Sequence, residues 1–392
     1  MLEQNDLEAI LQDWSFWDGE VPPEAVPRDI ALPVSLAPDI VLIIQGVRRC
    51  GKSTLLTQMP GFYKLPYEHC YYCNFEDPRL LGQLNYQLLE SIVKLAEQTH
   101  PGKKLYFFFD EIQHVEGWEK WLHTQLERPK NRYFTVTGSN SFLLAGEYAS
   151  ALTGRHLTFE LYPFSFLEYK KVFPQGELAD YLWQGGFPRA LRFSDPKKLL
   201  QEYFNDIILR DVQKRVHARS TESIQQVAKI AFDACGSELS YRKVAAVCGL
   251  TTETTKLYLE ACEQAYLIFT CEYFAFSIKK RLARNKKFYP IDSGMRAAIN
   301  TSATKDLGKG LEQLVFLRLK QLYRKVYYWR EKGEVDFVTF ENKKITPYQV
   351  SWEGEQPRHQ KALEEFYTAF PQAEEAIFIH KENFATALFL RD

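Results

Sequence analysis

Between residues 40 and 160 the chain alternates short, largely apolar runs with longer stretches whose apolar positions recur at helical spacing. The runs fall at 41–44, 71–75, 105–109 and 133–137, and the helical stretches begin at Lys52, around 80–98 and near 118–127. Runs of roughly four to eight apolar residues have the length of buried strands. A strand buried on both faces reads as an unbroken apolar run, as "LYFFF" at 105–109 does. Such alternation predicts an α/β fold with a parallel, helix-covered sheet. Ahead of it, 1–37 form a lead-in with a short helical stretch and a segment, "GEVPPEAVPRDIALP", too rich in proline for a helix interior. Beyond it, "LWQGGFPRAL" breaks the rhythm at Gly185, Gly186 and Pro188, and a helical stretch runs from Lys197 to about Arg219.

Further along, "SYRKVAAVCGLTTETTKLYLEACEQAYLIF" reads as a short helix, a turn at Gly249, an N-cap at Thr251 and an amphipathic helix from 252 to 265. That order predicts a helix-turn-helix. The strand-like "YLIFTCEYFAF" and the basic run "SIKKRLARNKKFYP" would then form a wing. Six of the nine residues from 279 to 287 are basic, namely Lys279, Lys280, Arg281, Arg284, Lys286 and Lys287, and aromatic Phe276, Phe288 and Tyr289 stand beside them. They make the wing the candidate DNA contact. The second helix is a poor groove reader, because Glu253, Glu260 and Glu263 oppose Lys256 alone.

The last segment runs through the helix "GKGLEQLVFLRL" with Glu312, the hairpin "VYYWREKGEVDFVTF" with its turn at Lys332-Gly333 and Asp336 on the second strand, and the strand "ITPYQVSW". Helix, hairpin and strand in that order outline a PD-(D/E)xK nuclease-like fold. Such an enzyme needs a second metal carboxylate and a lysine on the third element. Gln349 and Ser351 stand there instead, so this domain is expected to be a structural or binding module.

Bulk composition narrows the function classes. Lys and Arg number 49 against 50 Asp and Glu, a formal net charge of −1, so any pull toward nucleic acid or membrane must be local. No apolar stretch approaches the roughly 20 residues that span a bilayer, and "MLEQNDLEAI" is not a signal peptide, which predicts a cytoplasmic protein. Seven scattered cysteines suit a reducing compartment. Cys70 and Cys73 form C-x-x-C, but no second pair lies at zinc-site spacing, and they read as strand residues.

The chemistry concentrates in "VLIIQGVRRCGKSTLLTQ". Strand, G-x-x-x-x-G-K-S loop and helix make a Walker A phosphate cradle. Glycines let backbone N–H groups approach an anion, and the following helix aims its positive dipole end at it. Gly46, Arg48, Arg49, Cys50, Gly51, Lys52, Ser53 and Thr54 are the candidate nucleotide contacts; Lys52 would reach the outer phosphates and the Ser53 hydroxyl would ligate Mg²⁺. The run at 105–109 ends in Asp110 and Glu111. A carboxylate at a strand's carboxyl edge lies where open α/β sheets bind ligands, so Asp110 is the second candidate for Mg²⁺ and Glu111 the candidate base for the attacking water. The strand "RYFTVTGSNS" ends in Thr137, Ser139 and Asn140, placed to hold water or the γ-phosphate. Arg155 is the candidate transition-state guanidinium, with Arg48 and Arg49 as rivals. No N-K-x-D guanine segment occurs, which favours ATP over GTP.

On these motifs, and on "YCNFED", "GWEKWL", "LTGRHLTFELYPFSFLEY", "YLWQGGFP", "ILRDV", "YPIDSGMR", "GLEQLVF" and "EVDF", the chain resembles nearly end to end a group of prokaryotic AAA-type ATP-binding proteins. In that group an ATPase domain precedes a winged helix and a C-terminal domain of unknown function with a nuclease-like core. The resemblance implies ATP binding and hydrolysis through Lys52, Ser53, Asp110 and Glu111, with Ser139 or Asn140 as phosphate sensor and Arg155 on the γ-phosphate. The expected organisation is a lead-in at 1–37, a P-loop ATPase domain at 38–165, a helical connector at 166–222, a winged helix at 223–292 and a nuclease-like domain at 293–392. Two functions compete: an ATPase whose hydrolysis changes how the later domains meet a protein or DNA partner, and a DNA-binding regulator or degenerate nuclease in which nucleotide is mainly structural. A homo-oligomer fits the first, and a membrane partner fits neither.

Overall fold

The computed structural model describes residues 3–15, 25–128, 130–139, 152–216, 218, 220–300 and 306–389. The chain folds as two units, Met1–Tyr162 and Pro163–Asp392.

In the first unit, helix α1 (Gln4–Trp14) precedes strand β1 (Val41–Gln45), helix α2 (Lys52–Phe62), β2 (Cys70–Asn74), α3 (Tyr86–Thr99), β3 (Leu105–Asp110), α4 (Trp118–Glu127), β4 (Arg132–Gly138) and β5 (His156–Glu160). The strands form one parallel sheet in the order β2-β3-β4-β1-β5. Every residue of β1 and β3 is buried, as expected for strands covered on both faces. Phe107, Phe109, Phe134 and Trp121 stack and tilt on one another in the core, each buried ring contributing roughly 1.5–3 kcal/mol. Helix α3 starts later than its pattern suggests because Asn85 caps it, accepting from Gln87 N–H, and Pro78–Leu80 forms a separate 3-10 turn. Cys70 and Cys73 are free and buried in β2. Three residues apart on a strand, they point into opposite cores, as strand residues should.

The second unit carries a mixed seven-stranded sheet ordered β12-β11-β10-β9-β7-β8-β6. Its strands are β6 (Glu238–Leu239), β7 (Ile268–Tyr273), β8 (Lys286–Pro290), β9 (Val326–Arg330), β10 (Glu334–Glu341), β11 (Lys344–Val350) and β12 (Ile377–Ile379). Helices Thr221–Asp233, Tyr241–Cys248 and Thr252–Gln264 precede the antiparallel pair β7 and β8. The pair does not stand apart: β7 lies parallel to β9, with Glu272 opposite Tyr327 and Tyr273 opposite Tyr328. One sheet therefore runs through residues read separately as wing and C-terminal domain. Within the basic run expected to belong to a wing, Ile278–Leu282 is a short helix capped by Ser277, and the strand β8 begins only at Lys286. The "QGGFP" and "YPIDSGMR" segments meet at buried Asp292, whose carboxylate accepts from Gly186 N–H and Met295 N–H at 2.7 Å each. Burial pushes its carboxyl up to about 6.

Candidate active site

The loop between β1 and α2 is shaped by close backbone approach. A Cβ on Gly46 would sit 2.0 Å from the Leu161 carbonyl oxygen, so no other residue fits without moving the chain beyond β5. Helix α2 begins at Lys52, directly after Gly51 in the left-handed region (φ 103°). Lys52 is 4% exposed; its Nζ donates to the Gly46 carbonyl at 3.0 Å and the Val47 carbonyl at 3.3 Å and stands 3.7 Å from Glu111 Oε1. Cys50 is fully buried, whereas Arg49, Ser53 and Thr54 are exposed. Arg48 turns toward the end of β2, where its Nη1 lies 3.1 Å from Glu76 Oε1. A hydrogen bond with His114, backed by Arg48, holds the Glu76 carboxyl down to about 2 against partial burial.

Strand β4 runs between β1 and β3 and supplies the link to the second motif. Thr137 Oγ1 donates to Asp110 Oδ1 and accepts from Glu111 N–H at 3.0 Å, so one hydroxyl orients both acids. Tyr72, on β2, donates to Asp110 Oδ2 at 2.7 Å. Burial and then the Glu111 carboxylate push the Asp110 carboxyl up, while the Ser53, Thr137 and Tyr72 hydroxyls hold it back. Glu111 sits at φ 55°, a left-handed conformation that costs a non-glycine residue roughly 1–3 kcal/mol, and Gln113 Nε2 donates to its Oε2. Ser139 is buried at the tip of β4, and Asn140 lies outside the described residues. The carboxyl edges of β1, β3 and β4 thus gather Gly46 through Thr54, Asp110, Glu111 and Ser139. A serine hydroxyl bonded to a buried carboxylate is a hard oxygen donor pair of the kind that suits Mg²⁺.

Arg155 is not among them. Val41 N–H donates to the Arg155 carbonyl at 3.0 Å, and His156 pairs with Val41 while Glu160 pairs with Gln45. Arg155 therefore stands at the amino edge of the sheet, about 16 Å along the strand from the phosphate loop, beyond the reach of its own side chain. As a phosphate contact within one subunit it is withdrawn. Tyr72, Glu76, Gln113 and His114 were missed; Tyr72 could be found only from its register opposite Phe108.

Comparison with known proteins places this site in a family. Residues 39–170 match an AAA domain model, 175–306 a domain of unknown function (DUF8612) and 307–388 a second one (DUF4143). The chain is 30% identical over 348 residues to an uncharacterized protein of Haemophilus influenzae, covering 82% of this chain and 85% of that protein. It is 32% identical over 377 residues to an uncharacterized protein of Methanocaldococcus jannaschii, covering 88% and 82%. The chain belongs to the family of AAA-type P-loop ATPases that carry a C-terminal domain of unknown function. Likenesses to solved structures are slight. The C. elegans PCH-2 structure gives a TM-score of 0.26 at 12% identity, over 58% of this chain and 61% of that one. The structure of Drosophila ORC bound to AT-rich DNA and Cdc6 gives 0.22 at 9%, over 75% and 90%. Among the described residues no helix is long and apolar enough to cross a membrane.

In this AAA-type chain the second unit changes the reading of the basic run. Lys287 is 1% exposed, with Nζ 3.3 Å from Glu312 Oε1 and in contact with Glu334. Burial works against its charge, but Glu312, Glu334 and Asp336 together keep it protonated well above the ordinary range. Lys287 is therefore corrected from a DNA candidate to a buried cation, because a groove cannot reach it. Lys280 and Arg284 pair with Glu331, Lys286 pairs with Glu272, and Arg281 donates to the Ala275 carbonyl and lies 5.2 Å over the Tyr327 ring. Lys279 is exposed.

A cavity of about 1070 Å³ opens beside Lys287 and is lined by Lys309, Glu312, Glu334, Asp336, Gln349 and Ser351. Glu312 accepts from the Tyr289 hydroxyl at 2.8 Å and Lys309 Nζ at 3.2 Å. Gln349 serves the backbone here. Strand β10 is bulged between Val335 and Val338, and the Gln349 amide satisfies Asp336 N–H and the Glu334 carbonyl, both at 2.9 Å. Asp336 accepts from Val350 N–H at 2.8 Å. Burial and Glu312 push its carboxyl up to about 7, although its side chain keeps some contact with the cavity. The native state then holds a proton that the unfolded chain releases near its ordinary pKa of about 3.9. Its contribution is complete below about pH 4 and lost as pH rises through about 7. Asp336→Asn, which keeps an acceptor for Val350, is expected to gain stability relative to wild type from pH 5 to 8 in urea titrations. A difference independent of pH would place Asp336 at an ordinary carboxylate value.

Proposed function

We propose that residues Met1–Tyr162 bind ATP with Mg²⁺ and hydrolyse it to ADP and phosphate, and that turnover changes how the second unit meets a partner. The observation that carries this reading is the 3.7 Å approach of Lys52 to Glu111, which brings together motifs far apart in the chain. In this reading the amides of Gly46 through Thr54 cradle the phosphates, Lys52 neutralises the outer ones, Ser53 and Asp110 share the Mg²⁺, and Ser139 and Asn140 sense the γ-phosphate. Bound Mg²⁺ would supply charge neutralisation to the transferring phosphoryl group. Glu111, with its backbone N–H held by Thr137, polarises the attacking water. Arg155, at the amino edge, takes no part in the site of its own subunit, and would meet a γ-phosphate only where a homo-oligomer presents one to it. The helix-turn-helix order before β7 and β8 supports a winged-helix partner module, and the engaged Glu312, Asp336 and Gln349 support a nuclease-like module without catalysis. The unassigned partner is a protein or DNA.

Lys52→Ala is expected to weaken MgATP binding roughly 10²-fold, since a charge-assisted hydrogen bond contributes about 1.5–3 kcal/mol. Isothermal calorimetry on the full chain measures it; equal affinities for variant and wild type would remove the phosphate loop from the mechanism.

A further inference from the structure

Arg28, in the lead-in, holds the phosphate loop from outside. Its Nη1 donates to the Cys50 carbonyl at 2.9 Å and its Nη2 to the Tyr162 carbonyl at 2.6 Å. No peptide bond among the described residues is cis, so the Cys50 C=O and the Gly51 N–H point in opposite directions from one plane. A guanidinium that pins the carbonyl outward therefore turns the Gly51 N–H inward, and its charge polarises that peptide into a stronger donor. The second bond secures the opposite wall: Tyr162 follows Leu161, whose N–H donates to the Gln45 carbonyl at 2.7 Å and whose carbonyl faces Gly46. The lead-in is itself fastened to α2, the helix whose N-terminus opens on the site. Gln58 Nε2 donates to the Ala25 and Val26 carbonyls at 3.1 and 3.3 Å, and the Tyr63 hydroxyl donates to the Pro33 carbonyl at 3.0 Å. The field of Arg28 is felt inside the loop: burial pushes the Cys50 thiol up, and Lys52 and Arg28 oppose that rise. Two carbonyls on separate segments call for the planar fork of a guanidinium, which an ammonium does not reproduce.

We propose that Arg28 is a positioning residue of the phosphate loop, orienting the Cys50–Gly51 peptide so that its N–H binds polyphosphate and the site recognises nucleotides through their phosphates. This rests on the nucleotide-site reading above. The test uses the full chain with magnesium and two probes, ADP and inorganic pyrophosphate, measured by calorimetry. Arg28→Ala is expected to weaken both by the same factor, about tenfold, the worth of one lost strong hydrogen bond. Arg28→Lys should recover only part of the loss, and methylguanidinium should restore binding to Arg28→Ala. A spectroscopic readout follows the peptide itself. The sequence holds three Cys–Gly pairs, so carbonyl-labelled cysteine with nitrogen-labelled glycine gives three correlated amide signals, and the Cys50–Gly51 signal should be the one displaced in both variants. Absence of binding of either probe by the wild-type protein overturns the nucleotide reading itself. Binding by wild type with unchanged affinity in Arg28→Ala and Arg28→Lys, or an unmoved Cys50–Gly51 signal, overturns the role of Arg28 alone. If Arg28→Ala fails to fold, Arg28→Lys carries the comparison, and full affinity in it rejects the fork.

Discussion

Glu111→Gln should lower ATP turnover by roughly 10²–10⁴-fold, the usual contribution of a positioned general base, while MgATP still binds. Glutamine has nearly the shape of glutamate but cannot take a proton from water. The backbone N–H of residue 111 keeps its bond to Thr137 whatever the side chain, so the variant tests chemistry with little change in geometry. Affinity should hold or rise, because the exchange also removes the carboxylate that stands 3.7 Å from Lys52 and competes with phosphate for it. Single-turnover hydrolysis beside calorimetric binding separates the two effects. Wild-type turnover in this variant would remove Glu111 from the mechanism, and loss of binding would mean that Glu111 holds the loop together.

Removing the buried ammonium of the second unit is the other large effect. Lys287→Met should destabilise the protein by about 3–5 kcal/mol, because Glu312 would keep a buried charge with its main partner gone. Lys309 lies 3.2 Å from the other Glu312 oxygen but is about one-third exposed and replaces little of the loss. Adding Glu312→Gln to Lys287→Met should recover much of it, since the uncompensated charge then disappears. Urea unfolding followed through tryptophan fluorescence, with Trp329 buried on β9, reads the change. Wild-type stability in the single variant, accompanied by weakened DNA binding, would return Lys287 to an interface.

Helix-covered parallel strands announce themselves locally. β1 and β3 are apolar throughout because both faces are buried, and the phosphate loop is recognisable because glycines, lysine and serine must fall at set spacing for backbone amides to meet an anion. The helix start at Thr252 was legible from its cap, Thr251, whereas α3 begins at Tyr86 behind Asn85, six residues after the start its pattern suggests. Position along a parallel strand was less so. Arg155 sits near the right elements in sequence yet at the wrong edge, which the Val41–Arg155 hydrogen bond and the register of β5 on β1 reveal. Gln349 looked like a missing metal ligand and turns out to fill the orphaned backbone groups of a bulge.

Lys287 marks where reading from the chain alone stops. With the other basic residues of "KKRLARNKK" it looks like part of one solvated patch, and nothing within the run separates the residue that is buried from Lys279, which is exposed. Residue order was sufficient for the strand–helix alternation and the phosphate-loop chemistry, because periodicity, turn preference and motif spacing act over a few neighbouring residues. The edge of the sheet at which a side chain emerges, and the acids that neutralise a given cation, were settled only by packing. Those partners arrive from strands and helices distant along the chain, and desolvation there decides whether a charge is an interface or an internal tie.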